Sequence, residues 1–390
     1  MNQGKFVFSQ FTEFIPDRVF DVCVRRYEGN KWIKHFSCWH QLLCMMFGQL
    51  SGRESLRDVF TCLDAHKSKF YHLGLGNGFS RTTVARANEV RDWRIFHDFA
   101  MRVIAMARER CVPETDVLKD VPGTIYAFDA TTIDLCLSVF TWATFRTTKG
   151  GIKLHTLFDV RTTVPAFVHV TPASVHDVRA LDALVIEPGA YYLLDRAYID
   201  FARLYRLDQD KAFFVTRAKS NVRATWISSA RVDRSTGIIS DQTVRLNGVK
   251  TRQRYPASLR KVRYRDNELN RTFVFLTNNF TLPATTIAML YKHRWSVELF
   301  FKWIKQHLRL NAFWGTTENA VKTQVYIAIA TYAIVAIMKT DLKLSRSMYE
   351  ILQIIGVSLL DKSPLKDLLT SDRLTNTLEK NQLVLDFQRN

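Results

Sequence analysis

The run Tyr291-Lys-His-Arg294-Trp295-Ser-Val-Glu298-Leu-Phe-Phe-Lys302-Trp-Ile-Lys305 restricts the fold of this chain more than any other segment. At 3.6 residues per turn, Tyr291, Arg294, Glu298 and Lys305 fall within about 60° of one another on a helix. Lys302 joins that stripe, while Leu299, Phe300, Trp303 and Ile304 cover much of the remaining surface. A helix this apolar is buried, and one carboxylate buried among cations is costly for a soluble protein. The arrangement makes sense where a metal ion and a polyanion meet.

The 390 residues allow two or three domains and a large core, and a hydrophobic share of 47% excludes disordered chain. The formal net charge is +18, from 55 Lys and Arg against 37 Asp and Glu. That excess favours an extended polyanion as partner, most simply nucleic acid. The six cysteines include no C-x-x-C pair, and the first residues carry no charged-then-apolar secretion signal. A reduced, cytoplasmic protein with buried thiols is expected. Cys38 and Cys44 with His35 and His40 do not match the spacing of common zinc motifs. The apolar stretch Val325 to Met338 is too short to cross a bilayer and reads as a core helix.

Residues 1–118 read as helical, with Trp39 to Leu50 as a compact apolar helix. Ser80 reads as the N-cap of a helix from Arg81 to Trp93, followed by another through Ile104. A helix, a Gly-containing turn and a second helix bearing Arg81, Arg86 and Arg91 suggest a helix-turn-helix-like DNA contact. Pro122-Gly123 marks a change to strands at 124–128, 132–139, 151–160 and 166–170. A helix at 177–184, a buried strand at 191–194, a helix at 199–207 and a strand at 212–216 complete a mixed α/β pattern.

Between Arg217 and Arg271 there are fourteen Lys and Arg against four Asp and Glu. Period-two stretches there are separated by Asn247-Gly248 and Asp266-Asn267, both hairpin signals, so the segment reads as a basic antiparallel insertion. The charge favours nucleic-acid contact over a merely solvated sheet edge. Pro283 precedes one long helix expected from Ala284 to Leu308, and a further helix runs from Ala320 to Met338. The domain boundaries expected are a helical DNA-binding region (1–118), a first core part (119–217), a β-rich insertion (218–272), a second core part (273–342) and a helical C-terminal region (343–390), the last a candidate for dimerisation.

Asp129 ends the strand Ile125-Tyr-Ala-Phe128, and Asp195 ends the strand Tyr191-Tyr-Leu-Leu194. A carboxylate that closes a buried strand lies at the carboxyl edge of the sheet, where α/β proteins build their sites. With Glu298 supplied by a helix, the two aspartates can hold two hard divalent cations about 3.5–4 Å apart, as in-line phosphodiester chemistry requires. Taken singly, a strand-end Asp is most often a turn former and a helical Glu a surface residue. Three such coincidences in one strongly basic chain weaken that reading. Asp134, Asp159 and Asp200 compete as ligands, but Asp134 is five residues beyond Asp129 and points elsewhere along a strand. His155, His169 and His176 lie near the strands, though a metal-activated water needs no histidine base.

The spacing Y-(2)-R-(3)-E-(6)-K, met by Tyr291, Arg294, Glu298 and Lys305, resembles the signature of bacterial insertion-sequence transposases with a DDE site. The contexts Phe-Asp129-Ala-Thr-Thr and Leu-Leu-Asp195-Arg-Ala-Tyr resemble the two Asp segments of that group, over roughly residues 120–340. The resemblance implies an RNase H-like mixed-sheet core interrupted by a β-rich insertion, and cut-and-paste transposition through a DNA hairpin. It also implies that Asp129, Asp195 and Glu298 bind Mg²⁺, with Mn²⁺ able to substitute. Tyr291, Arg294, Lys302 and Lys305 then hold phosphates, and Trp295 assists a displaced base. Arg is suited to a bidentate phosphate clamp and Lys supplies a point charge. Trp226, the sole tryptophan of the insertion, reads as core. The implied partners are element-end and target DNA and a second copy of the chain. A structure-specific nuclease, or a non-catalytic regulator derived from a transposase, stays compatible with the residues alone.

Overall fold

The computed structural model describes residues 4–111, 118–136, 138–146, 149–307, 310 and 312–370. Six helices come first: α1 (Val7–Thr12), α2 (Asp17–Arg26), α3 (Cys38–Leu50), α4 (Leu56–Asp64), α5 (Arg81–Val90) and α6 (Arg94–Arg110). Ser37, Ser55 and Ser80 each cap a helix by accepting a backbone N–H three residues on, which satisfies donors the first turn leaves unpaired. Residues 65–80, between α4 and α5, bury Phe70, Leu73 and Leu75. That connection is longer than the turn of about 3–4 residues in a helix-turn-helix unit. Arg91 is also not available to a ligand: it is buried, and its guanidinium donates to the carbonyls of Phe36 and Ser37 and to Gln41 Oε1.

The strands are β1 (Ile125–Leu135), β2 (Thr144–Arg146), β3 (Lys149–Asp159), β4 (Val164–Pro172) and β5 (Tyr191–Leu194). Helix α7 (Phe201–Gln209) leads to β6 (Phe213–Arg217), β7 (Ala224–Ser229) and β8 (Ile238–Leu246), then α8 (Val249–Arg254), β9 (Leu259–Asp266) and β10 (Arg271–Thr277). These ten strands form one sheet in the order β2-β3-β1-β5-β6-β10-β9-β8-β7, with β4 beside β3. Among the described residues only β1–β5 and β5–β6 pair in parallel. The basic segment thus extends the same sheet: β10 joins β6 antiparallel, and β9, β8 and β7 follow outward.

Several local expectations change. The two strands expected at 124–128 and 132–139 are one strand, because β1 stays paired with β3 from Tyr126 to Leu135. Residues 138–139 form a turn, and residue 137 lies outside the described residues. Asp129 is accordingly inside a strand, at the point where the parallel ladder with β5 ends. Residues Asp177–Ala183 wind as a 3-10 helix rather than an α-helix. Asp266-Asn267 does open the β9–β10 hairpin. Asn247-Gly248 does not make a hairpin: Gly248 has φ −68° and starts α8, whereas a two-residue hairpin of this kind needs positive φ.

The described residues end with α9 (Ala284–Lys292), a 3-10 turn at His293–Trp295, α10 (Ser296–His307), α11 (Glu318–Asp341), α12 (Met348–Ser358) and α13 (Leu365–Thr370). The single helix expected from Ala284 to Leu308 is therefore broken at Arg294, and its expected end at Leu308 lies outside the described residues. So do 112–117 of the expected helical region and 371–390 of the C-terminal one. Helix α11 exceeds the apolar stretch legible in the sequence and is long enough at about 1.5 Å per residue to span a bilayer. It is instead buried: Ala320, Val321 and all of Thr323 to Met338 are covered, chiefly by α6 and α3. Gly48 on α3 makes room for Val59 of α4 and for Trp314, since a Cβ there would lie 2.5 Å from the Trp314 ring and 2.7 Å from Val59. One sheet face sends Ala127, Leu193, Val215 and Phe275 into this core; the other sends Phe128, Leu194 and Phe214 into a smaller core beneath α7.

Candidate active site

The register of two strands builds the centre of the site. Phe128 on β1 is paired with Leu194 on β5, so Asp129 and Asp195 are the next residues of adjacent parallel strands, which lie about 4.8 Å apart. Asp195 then caps the 3-10 turn Arg196–Tyr198, accepting the Ala197 N–H at 2.9 Å. Asp129 Oδ1 accepts the Ala130 N–H at 2.8 Å and lies 3.4 Å from the Tyr198 hydroxyl.

Helix α10 brings the third carboxylate. Glu298 sits in its first turn, where the helix dipole favours a negative charge. Arg294, buried in the 3-10 turn, links the elements: its Nη1 donates to Asp129 Oδ2 at 2.9 Å and its Nη2 to Glu298 Oε1 at 2.7 Å. A 3-10 segment inside a helix often marks a functional constraint, and here it turns this guanidinium toward β1. Tyr291 and Trp295 flank it, with ring centroids 5.9 and 5.7 Å from Arg294 Cζ.

Burial raises the pKa of Asp129 to about 6. The Ala130 N–H and Arg294 oppose that rise, while Glu298 and Asp195 add to it, so the three carboxylates act electrostatically on one site. Burial works against the Arg294 charge, yet Tyr291, Asp129 and Glu298 outweigh it and hold its pKa above the ordinary value. Burial also raises Tyr198, with Asp129 adding to the effect, and lowers Lys305, against the pull of Asp134.

The remaining sequence-derived candidates divide into two groups. Tyr291 is partly buried against Phe275, ring centroids 4.9 Å apart, and Asp195 acts on it electrostatically. Lys305 reaches β1, donating to Thr131 Oγ1 at 2.6 Å and to the Thr132 carbonyl at 2.9 Å. Trp295 and Lys302 are exposed on the same segment. Arg81 and Arg86 are exposed on α5, in the N-terminal helices. Trp226, expected in the core, is 59% exposed. Its strand β7 is the outermost, five strand spacings or about 24 Å from β5. Of the competing acids, Asp134 is exposed, Asp159 accepts the Arg161 and Thr162 N–H groups, and Asp200 caps α7. His155 is buried against Thr171 at 2.9 Å.

Sequence reasoning missed Tyr198 and Arg217. Tyr198 is three residues past Asp195, one 3-10 turn, and that spacing was the available signal. Arg217 ends β6 beside β5, 5.2 Å from the Phe273 ring, and its charge acts on Tyr291.

Among the described residues no three carboxylate, imidazole or thiol groups stand close enough to hold a metal ion as they are. The donor chemistry nevertheless suits a hard divalent cation: Asp129 and Asp195 stand at adjacent strand positions, and Glu298 shares the Arg294 guanidinium with Asp129. The Arg294 guanidinium supplies the positive charge between two of them.

A family model described as a transposase DDE domain matches residues 121–334, and one described as a domain of unknown function matches residues 3–76. "Putative transposase y4zB" of Sinorhizobium fredii is 36% identical over 50% of this chain and 56% of its own length. "Probable transposase for insertion sequence element IS5377" of Geobacillus stearothermophilus is 32% identical over 61% of this chain and 63% of its own. "Putative transposase for insertion sequence element IS4SA" of Synechocystis is 22% identical over 76% and 83%. The chain thus spans less than two thirds of the first two relatives. The domain match runs from just before β1 into α11 and covers more than half of the residues, and by it the chain belongs to the transposase DDE domain family.

Proposed function

We propose that this chain is the DNA transposase of an insertion sequence, cutting at the element ends and joining them to target DNA. The observation that supports the reading is the placement of Asp129 and Asp195 at adjacent positions of parallel strands, with Arg294 bonded to both Asp129 and Glu298. Asp129, Asp195 and Glu298 are the residues that would hold Mg²⁺ or Mn²⁺, two ions per site. Bound ions of this kind supply an activated hydroxyl and stabilise the leaving oxygen. Support for an RNase H-like core comes from the order β4-β3-β1-β5-β6, with the first three strands antiparallel and the last two parallel to β1.

The side chains take the following roles. Arg294 leaves the carboxylates for a DNA phosphate when metal and DNA enter. Tyr291, Lys302 and Lys305 hold neighbouring phosphates, and Trp295 receives a base displaced when the end closes into a hairpin. Arg81 and Arg86 on α5, and the basic strand β9, contact DNA away from the cut. Two copies of the chain pair two element ends, and the protein works at the bacterial nucleoid.

A duplex carrying the flanking inverted repeat and a supercoiled target, incubated with the protein and Mg²⁺, tests the reading. Excised ends, a hairpin species on a denaturing gel and joined target product are expected. Cleavage without joining would instead identify a nuclease, and binding without cleavage a regulator.

A further inference from the structure

We propose that the loop from Glu28 to His35, between α2 and α3, is a DNA contact that stacks Trp32 on an opened base while Lys31 and Lys34 meet phosphates. The proposal rests on the reading that DNA is the partner, and it assigns a task to a segment matched so far by a domain of unknown function.

Residues 31–35, Lys-Trp-Ile-Lys-His, are all exposed. Trp32 is 89% exposed, the largest value among the exposed large aromatic side chains of the described residues, and Ile33 beside it is 42% exposed. A single exposed apolar residue needs no explanation, but this loop is also held firmly in an unfavourable shape. Glu28 and Trp32 have φ of 50° and 63°, a left-handed conformation that a bulky L-residue adopts rarely and at a cost.

The anchors are specific. The Gly29 N–H bonds to the Val24 carbonyl at 2.9 Å, the Lys31 N–H to that of Glu28 at 2.9 Å, and the Ile33 N–H to that of Asn30 at 3.1 Å. Asn30 Oδ1 accepts the Cys38 N–H at 2.7 Å, tying the loop to the start of α3. Gly29 is wedged so tightly that a Cβ there would lie 2.8 Å from Cys38 Sγ and would also strike Ile95. A slack loop would fold its tryptophan against the protein; this one holds it out.

The charge around the tip selects the partner. Arg25, Arg26, Lys31 and Lys34 stand against Glu28 alone within residues 25–35. Arg25, Arg26 and Lys31 have acidic neighbours, at 3.5, 2.9 and 2.7 Å, whereas no ion pair is described for Lys34. The cores of protein–protein contacts are depleted in lysine, and two apolar side chains between two lysines make a poor one. Cations alternating with an aromatic face are what nucleic acid with an accessible base recognises, and apolar wedges at a base step serve the same end.

The test is anisotropy titration of a fluorescein-labelled duplex with a short unpaired tract, using wild type, Trp32→Ala, Trp32→Phe and the pair Lys31→Gln/Lys34→Gln. Trp32→Ala should weaken binding by about tenfold with an unchanged salt slope, and Trp32→Phe should recover most of it. The lysine pair should flatten the slope of log affinity against log salt by about two. All variants should melt with wild type, because Trp32 has little packing to lose. Wild-type affinity in Trp32→Ala would overturn the loop's role and leave DNA as partner. So would a change in self-association, read by sedimentation, with DNA affinity intact. Absence of DNA binding by wild type would sink the partner reading and this proposal with it.

Discussion

With its guanidinium 2.9 Å from Asp129 and 2.7 Å from Glu298, Arg294 balances charge that burial would otherwise make costly, and it occupies oxygens a metal ion would need. Arg294→Gln should therefore tighten Mn²⁺ binding to the DNA-free protein by about tenfold, on the scale of one charge-assisted hydrogen bond, while DNA cleavage is lost. Calorimetric titration measures this, and equal or weaker Mn²⁺ binding would sink the idea. Asp129 gives a pH dependence of definite sign. Burial raises its pKa to about 6, and a ligand carboxylate must be ionised, so Mn²⁺ affinity should fall as pH drops through about 6. An ordinary Asp would hold the ion down to about pH 4, and a profile flat between pH 7 and 5 would contradict the assignment. At this scale the sequence was most legible: strand ends and helix spacing single out Asp129, Asp195 and Glu298 as candidates. Tyr198 was not, because an aromatic near a strand looks like core until the 3-10 turn after Asp195 shows its hydroxyl near Asp129.

Elements were less legible where long-range pairing overrides local signals. The 3-10 turn at His293–Trp295 could not be read from the run; Arg294 sits in it and donates to Asp129 on β1, a contact between residues far apart in sequence. Asn247-Gly248 looked like a hairpin because α8 was invisible as a short polar stretch. Trp226 was misread because exposure depends on β7 being outermost, a fact of strand order. One buried pair fixes the outer sheet in place. Arg260 is bidentate to Asp241 at 2.9 and 2.7 Å and also donates to the Asn279 and Leu282 carbonyls, before α9. Asp241→Ala should cost about 3–5 kcal/mol in urea unfolding, since it strands a buried charge, and Asp241→Leu with Arg260→Met should recover much of that. A loss below about 1 kcal/mol would show the pair to be dispensable.

The molecule as a whole combines a buried apolar helix, α11, with an outer surface of strong positive charge. The charge was plain in the sequence; its placement was not. Lys261 and Arg263 lie two residues apart on one face of β9, next to Gln242 and Ser240 of β8, with no ion pair described for either. Replacing both by Gln should lower the salt slope of DNA binding by about two and weaken all sequences alike, and an unchanged slope would remove β9 from the DNA path. The central claim is that three carboxylates cut DNA at an element end. It is tested most directly by single-turnover cleavage of a duplex bearing the flanking repeat, with Mg²⁺ or Mn²⁺, comparing wild type with Glu298→Gln. Cleavage at the repeat terminus by wild type alone is the result predicted here. Equal cleavage by Glu298→Gln would contradict it.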